Sequence, residues 1–170
     1  DLKKIQSKNK MLHLYKSNFA NINNVKKFIR QITNKDICSV INLVGFIDNI
    51  NYQKHEIKSL VKSLTINTLV PLQIQKSLLK YMIRINFGRI LNVSSIGVKY
   101  GGGEYTYNYA FSKHALEFIP SHLRKLASKN ILTNVLRVGV VNTKLQKKIK
   151  GKNIKKRIQM IPAKRSASKN

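Results

Sequence analysis

The sequence is poor in cysteine and in long apolar runs, and both shortages exclude kinds of protein. A single cysteine, Cys38, cannot form a disulfide within the chain, which fits a reducing, cytoplasmic setting. No apolar run reaches the roughly 18 residues that a membrane helix needs. The Lys-rich N-terminal stretch also has no apolar signal region behind it. We therefore expect a cytoplasmic protein with no membrane partner.

Acidic residues are scarce too, with 6 Asp plus Glu against 33 Lys plus Arg and a net charge of +27. The acids form no evident acid–base pair, and the four histidines show no metal-ligand spacing with them or with Cys38. We expect no metal site. So strong a positive charge can indicate binding to nucleic acid or to anionic membranes. However, the lysines are spread along the chain, apart from a basic tail over residues 144–169, and Asn and Ile are also abundant. This pattern favours biased coding composition, so a nucleic-acid partner is not our first expectation.

Apolar periodicity alternates between strand and helix along the chain. Strands are predicted at residues 11–16, 37–44, 89–93 and 131–138. Helices are predicted at residues 25–32, at 57–83 with a break near Asn67 and Pro71 and a stop at Gly88, at 105–129 with a division at Pro120, and at 154–160. Such alternation implies βαβ units and a parallel sheet. At 170 residues, the chain suits a single α/β domain.

Tyr109 and Lys113 are the strongest candidates for chemistry. At i and i+4 of a predicted helix they lie one turn apart on the same face. A phenol is a poor acid or base at neutral pH, but a neighbouring ammonium lowers its pKa and allows it to exchange protons with a substrate oxygen. The spacing alone is weak, since Tyr81 and Tyr107 also have basic neighbours. The alternative is a surface tyrosine that packs along a lysine side chain.

Ser95 strengthens this interpretation. It lies at the carboxyl end of the strand predicted at residues 89–93, where open α/β sheets bind ligands. Four glycines between Ser95 and Tyr109 could let the two hydroxyls approach one substrate atom. The alternative is that Ser95 caps a helix or turn.

Three stretches together resemble the classical short-chain dehydrogenase/reductase (SDR) family. They are Arg89-Ile-Leu-Asn-Val-Ser-Ser-Ile-Gly, Tyr109-Ala-Phe-Ser-Lys-His-Ala-Leu-Glu and Asn134-Val-Leu-Arg-Val-Gly-Val-Val-Asn-Thr143. The resemblance implies a Rossmann-like, doubly wound parallel sheet and an NAD(P)-dependent oxidoreductase. Hydride would pass between the nicotinamide of NAD or NADP and a small-molecule carbonyl or alcohol substrate.

The resemblance also implies roles for individual residues. Tyr109 is the general acid/base, Lys113 lowers its pKa and holds the nicotinamide ribose, Ser95 orients the substrate oxygen, and Asn67 holds a water that links Lys113 to solvent. The residues implied at the cofactor, besides Tyr109 and Lys113, are Asn18, Asn42, Gly45, Gly139 and Thr143. Family members commonly form homodimers or homotetramers through helices corresponding to residues 72–83 and 109–125. The basic tail corresponds to the substrate lid, so an anionic substrate is conceivable.

The chain departs from the family in its cofactor-binding part. Leu43 replaces an asparagine and Val138 a proline, and Gly45 is the first glycine in the sequence, so the family's Gly-rich phosphate-binding turn is missing. In the family's strand order 3-2-1-4-5-6-7, this single partial domain of residues 1–170 would lack the first two strands and the last. The strand at residues 11–16 would have no partner, and the strand at 37–44 would have an open edge.

Two further expectations follow from these departures. The isolated chain should be marginally stable or aggregate, and should be inactive without the cofactor loop. A cooperative thermal transition at an ordinary mesophile midpoint would contradict the first expectation. The alternative function is a non-catalytic remnant of the family, or a basic nucleic-acid-binding scaffold, for which DNA binding with a steep salt dependence would be evidence.

Overall fold

The computed structural model describes residues 12–151 and 153–168. Three parallel strands form one sheet in the order β1-β2-β3. They are β1 Ser39–Asn42, β2 Gly88–Ser95 and β3 Ile131–Val138. This arrangement confirms the α/β, Rossmann-like prediction, and β3 has the predicted bounds.

Helices connect the strands and continue beyond β3. They are α1 Ile22–Thr33, α2 Ile57–Leu64, α3 Val70–Arg84, α4 Tyr107–Glu117, α5 Ser121–Lys125, α6 Lys144–Lys147 and α7 Ile154–Gln159. A π-helical turn, Thr65–Leu69, joins α2 to α3, so the predicted break near Asn67 is a change of helix type rather than an interruption. Pro71 lies in the first turn of α3 and Pro120 caps α5, as the sequence predicts. None of the described helices has the length and apolar character to cross a bilayer.

The hydrophobic core lies between one face of the sheet and helices α1, α3 and α5. Its buried members are Val25, Ile32, Val70, Ile74, Leu78, Met82, Ile90, Leu123, Leu126 and Ile131. The opposite face is different, because Ile41 and Leu136 remain 61% and 49% exposed there. The strands' carboxyl ends, where the candidate residues lie, are therefore supported by the helix-covered face.

Two predicted strand segments differ from the structure. Residues 12–16 form no strand, so that prediction is wrong, while Met11 lies outside the described residues. Tyr15 packs edge-on against Phe28 of α1, with ring centroids 6.1 Å apart. The segment thus packs on a helix, since a lone strand without a hydrogen-bonding neighbour gains little. The strand predicted at 37–44 shortens to Ser39–Asn42.

Gly88 does not stop helix α3, contrary to the prediction. The helix ends at Arg84, the chain turns through Asn86 at a φ of 49°, and Gly88 is the first residue of β2. A Cβ at Gly88 would lie 2.8 Å from Sδ of Met82 and 2.9 Å from Cγ2 of Ile131. The glycine is needed because strand and helix approach too closely there for a side chain.

Candidate active site

Ser95 and Tyr109 are brought together at the carboxyl end of the sheet. Ser95 is the last residue of β2, and its Oγ accepts a hydrogen bond of 3.1 Å from Gly97 N. The Ser95 side chain also lies close enough to the Tyr109 phenol to lower its pKa. The alternative role of Ser95 as a cap is therefore confirmed, and its predicted role at the substrate oxygen stays a prediction.

The glycine loop is an ordered turn that fixes this approach. Residues Ile96–Tyr100 form a 3-10 turn, followed by Gly101 and Gly102 at φ angles of 68° and 86°. A Cβ at Gly102 would lie 2.8 Å from the Thr106 carbonyl oxygen and 2.9 Å from Cβ of Ala110. Glycine thus allows the loop to pack directly on the start of α4, three residues ahead of Tyr109.

Burial dominates the electrostatics of Tyr109. It raises the pKa of the phenol above its ordinary value of 10.0, and the hydrogen bond from Ser95 lowers the pKa by a smaller amount. At neutral pH the phenol keeps its proton. It can therefore donate that proton to an oxygen that becomes negatively charged.

Lys113 lies one turn after Tyr109 and is 2% exposed. Its ammonium donates hydrogen bonds of 2.6 Å to the carbonyl oxygens of Val44 and Val93, at the carboxyl ends of the two neighbouring strand segments. Burial lowers the pKa of Lys113 to about 8. An ammonium has three N–H donors, so one remains for a further acceptor.

Asn67 lies in the π-helical turn and is fully buried. Its Oδ1 accepts from Phe46 N at 2.7 Å, while its Nδ2 donates to Phe46 O and to Ser112 Oγ, each at 2.9 Å. These bonds tie the chain after β1 to helix α4 at the residue next to Lys113. The predicted role of Asn67 in holding a water stays a prediction.

Asn42 and Gly45, both predicted to line the cofactor groove, have different surroundings. Asn42 is 4% exposed, and its Nδ2 donates to Asn92 Oδ1 at 2.8 Å, an oxygen that also accepts from Gln75 Nε2 at 2.6 Å. Its side chain thus belongs to a polar network under the helices. A Cβ at Gly45, in contrast, would lie 3.5 Å from Leu145 Cδ2 and 3.9 Å from Tyr109 Cε2, so Gly45 borders the Tyr109 ring.

For the remaining predicted cofactor residues, the structure shows only local side-chain contacts. Asn18 is exposed before α1, and its Oδ1 accepts from Ala20 N at 3.0 Å. Thr143 caps α6 by accepting from Gln146 N at 3.3 Å. A Cβ at Gly139 would meet nothing within 4 Å. Their predicted roles stay predictions, and their contacts are local.

Two further groups hold the site and carried no recognised sequence signal. Asp48 Oδ2 accepts from Nδ2 of Asn108, the residue before Tyr109, at 2.6 Å. Glu117, at the end of α4, accepts two bonds from Arg137 of β3 and one of 2.7 Å from Ser94 Oγ. These contacts lower the pKa of Glu117, the Arg137 hydrogen bond being the largest cause. Because the sequence contains so few acidic residues, each of them could have been singled out as a candidate partner for a buried donor.

No group of three metal-binding side chains occurs within residues 12–151 and 153–168. The side chains described at the site are the hydroxyls of Ser95 and Tyr109, the ammonium of Lys113 and the buried amide of Asn67.

Comparisons with known proteins identify the family to which this arrangement belongs. The profile of the short chain dehydrogenase family matches residues 2–154. The chain belongs to the short chain dehydrogenase family. It is 28% identical over 158 residues to the 3-oxoacyl-(acyl-carrier-protein) reductase FabG of Buchnera aphidicola subsp. Acyrthosiphon pisum, covering 89% of this chain and 63% of that protein. FabG of Buchnera aphidicola subsp. Schizaphis graminum is 33% identical over 101 residues, covering 59% of this chain and 41% of the relative.

Solved structures of the family share the fold. A 3-oxoacyl (acyl-carrier-protein) reductase from Agrobacterium tumefaciens, crystallised with NADP bound, superposes with a TM-score of 0.75 at 18% identity, covering 89% of this chain and 60% of that one. This short chain dehydrogenase chain therefore spans less than two thirds of the length of these relatives.

Short chain dehydrogenases use NAD or NADP, and the residues around Tyr109 fit the nicotinamide end of such a cofactor. Lys113, which uses two of its three N–H donors on backbone carbonyls, would hold a ribose hydroxyl with the third. Because Gly45 has no side chain, it does not cover the side of the Tyr109 ring that it borders. Leu145 lies next to the same glycine.

Proposed function

We propose that this chain carries the proton-transfer part of an NAD(P)-dependent oxidoreductase acting on a small carbonyl or alcohol substrate. The observation that carries the proposal is the position of Ser95 at the carboxyl end of β2, near enough to Tyr109 to lower the pKa of the phenol, with buried Lys113 one turn after Tyr109. Family membership supports the same class of reaction.

In the reducing direction, the substrate oxygen would accept hydrogen bonds from Ser95 and Tyr109. Bound NADPH or NADH supplies a hydride to the carbonyl carbon. As the C=O π bond breaks, the oxygen takes the phenolic proton of Tyr109, which gives the alcohol and leaves a phenolate. Lys113 stabilises that phenolate by its positive charge, and a proton from solvent restores the phenol. Oxidation of an alcohol reverses these steps.

The decisive experiment replaces Tyr109 with phenylalanine in the full protein. Turnover should fall by about 10²–10⁴-fold, the usual contribution of a general acid/base, while cofactor affinity measured by fluorescence titration stays unchanged. The matched control is Tyr107→Phe, two residues earlier, whose ring packs against Tyr52 at 4.8 Å between centroids. If both variants kept full turnover, Tyr109 would not be the acid/base.

Three coarser features complete the proposal. We propose one partial domain over residues 1–170, a cytoplasmic setting, and a homodimer or homotetramer. Apolar side chains on the outer surface of α2 and α4 support self-association, since Ile57 and Phe111 are 81% and 44% exposed. The non-catalytic alternative predicts no turnover, and its basic-scaffold version predicts in addition DNA binding with a steep salt dependence.

A further inference from the structure

A cleft of 260 Å³ lies between the glycine loop and the segment that contains α7. Its walls include Glu104, Tyr105 and Thr106 on one side and Lys150, Lys156 and Arg157 on the other. Ligand sites in proteins commonly span about 300–1,000 Å³. The cleft therefore suits one group of a substrate rather than a whole cofactor.

The walls of this cleft are held in place by specific contacts. Gly151 has a φ of 63°, and a Cβ there would lie 3.0 Å from Cε2 of Tyr105, so the two walls meet closely. Lys150 N donates to Asn49 Oδ1 at 3.1 Å, and Tyr52 N donates to Glu104 O at 3.0 Å. The loop after β1 thus anchors both walls.

The cleft carries an excess of positive charge. Lys150, Lys156 and Arg157 face a single carboxylate, Glu104, whose Oε1 accepts from the side chain of Asn51. Three cations against one anion leave two uncompensated charges, which match a dianion. The planar guanidinium of arginine binds phosphate oxygens in pairs. No Asp or Glu follows Glu117 in the sequence, so the α7 side of the cleft has no carboxylate of its own.

Both walls of the cleft belong to chain segments that also lead to the surroundings of Tyr109. Thr106 immediately precedes α4, three residues before Tyr109. Leu145, in the segment that leads to Lys150, borders Gly45 beside the Tyr109 ring. One segment of chain therefore borders both places, and a single extended molecule could contact both.

The geometry points to a binding site for a phosphate ester of the substrate in this cleft, with the substrate carbonyl at Ser95 and Tyr109. This inference rests on the proposed function for the carbonyl, but the phosphate site can be tested without any turnover. Phosphate oxygens would accept hydrogen bonds from Lys156 and Arg157, and Lys150 would supply the third cation.

The test measures binding of inorganic phosphate to the full protein by calorimetry at low salt. Lys156→Gln and Arg157→Gln should each weaken binding roughly tenfold, as expected for one lost hydrogen bond to a charged group. Lys155→Gln is the matched control, because it removes the same charge from the neighbouring residue of α7, which does not line the cleft. Its effect should stay within about twofold, the range of a surface charge.

Kinetics separate this inference from the proposed function. Dihydroxyacetone phosphate and dihydroxyacetone form a pair of carbonyl probes with and without the phosphate. Lys156→Gln should raise KM for the phosphorylated probe alone and leave kcat unchanged. One outcome is that neither probe is turned over, while Lys156→Gln still weakens phosphate binding and Lys155→Gln does not. That outcome would overturn the proposed function and support the phosphate site in the cleft. Equal weakening by all three variants, or no phosphate binding, would overturn the cleft whatever the turnover.

Discussion

Two groups of candidate residues differ sharply in how the fold holds them. The proton-transfer set consists of Ser95, Tyr109, Lys113 and Asn67, and the outer set consists of Asn18, Gly139 and Thr143. Lys113 and Asn67 are 2% and 0% exposed and bond to parts of the chain distant in sequence. The side chains of Asn18 and Thr143 bond to neighbours within three residues.

The difference shows which candidate residues are positioned by the fold of these residues alone. Lys113 and Asn67 join the chain after β1 to helix α4, and Ser95 joins the end of β2 to Tyr109. Moving one of these groups would therefore disturb several secondary-structure elements. The side chains of the outer set have no such long-range contacts, so moving one of them should disturb the fold less.

Asn67→Ala should have the largest effect on stability. Phe46 N–H and C=O would both lose their side-chain partner, and a buried group left unpaired costs about 1–3 kcal/mol. We expect a loss of about 4 kcal/mol, measured by urea unfolding. Asn18→Ala, the same substitution in the outer set, should cost about 0.5 kcal/mol or less. Similar losses for the two variants would remove the contrast between the sets.

Some of this architecture could be predicted because local pattern decided it. The apolar run at 131–138 lies between Asn130, which has a φ of 56°, and Gly139, so the bounds of β3 follow from local residues. The i, i+4 spacing placed Tyr109 and Lys113 on one helix turn. Pro120 divided its helix because a proline cannot donate the interior hydrogen bond.

Other features depend on contacts that no local pattern encodes. The strand predicted at 11–16 was wrong because a strand exists only with a neighbour. The prediction that Gly88 ends a helix was wrong, because this position needs a glycine for a different reason. Met82 and Ile131 approach it too closely for a side chain. The carbonyl partners of Lys113 come from two separate segments, and a backbone oxygen leaves no residue type to recognise in a sequence.

Lys113 should give the next largest effect, through pH. Burial lowers its pKa to about 8 from an ordinary value of 10.5, so the charged form is penalised by about 3 kcal/mol below pH 8. Between pH 8 and 10.5 the unfolded chain keeps a proton that the folded chain has released. Stability from this group therefore rises with pH across that window.

The Lys113→Met variant isolates this contribution. Relative to the variant, the unmodified protein should gain about 3 kcal/mol of unfolding free energy as pH rises from 8 to 10.5, because other lysines titrate alike in both. Urea unfolding at several pH values measures the difference. If the unfolding free energies of the two proteins changed in parallel with pH, Lys113 would titrate as an exposed lysine does. It would then not be held in the buried environment that distinguishes its set.

A pair of glycine variants provides the smallest and most local test of the contrast. Gly102 has a φ of 86°, and a Cβ would lie 2.8 Å from the Thr106 carbonyl oxygen, whereas a Cβ at Gly139 would meet nothing within 4 Å. Gly102→Ala should therefore cost about 1–2 kcal/mol, the usual penalty of a left-handed conformation for an L residue. It should also displace Tyr109 from Ser95, because the strained turn rests on the start of α4. Gly139→Ala should leave the unfolding free energy within about 0.5 kcal/mol. If Gly139→Ala proved the more damaging of the two, the outer set would be packed by contacts as close as those around Tyr109, and the distinction between the two sets would be lost.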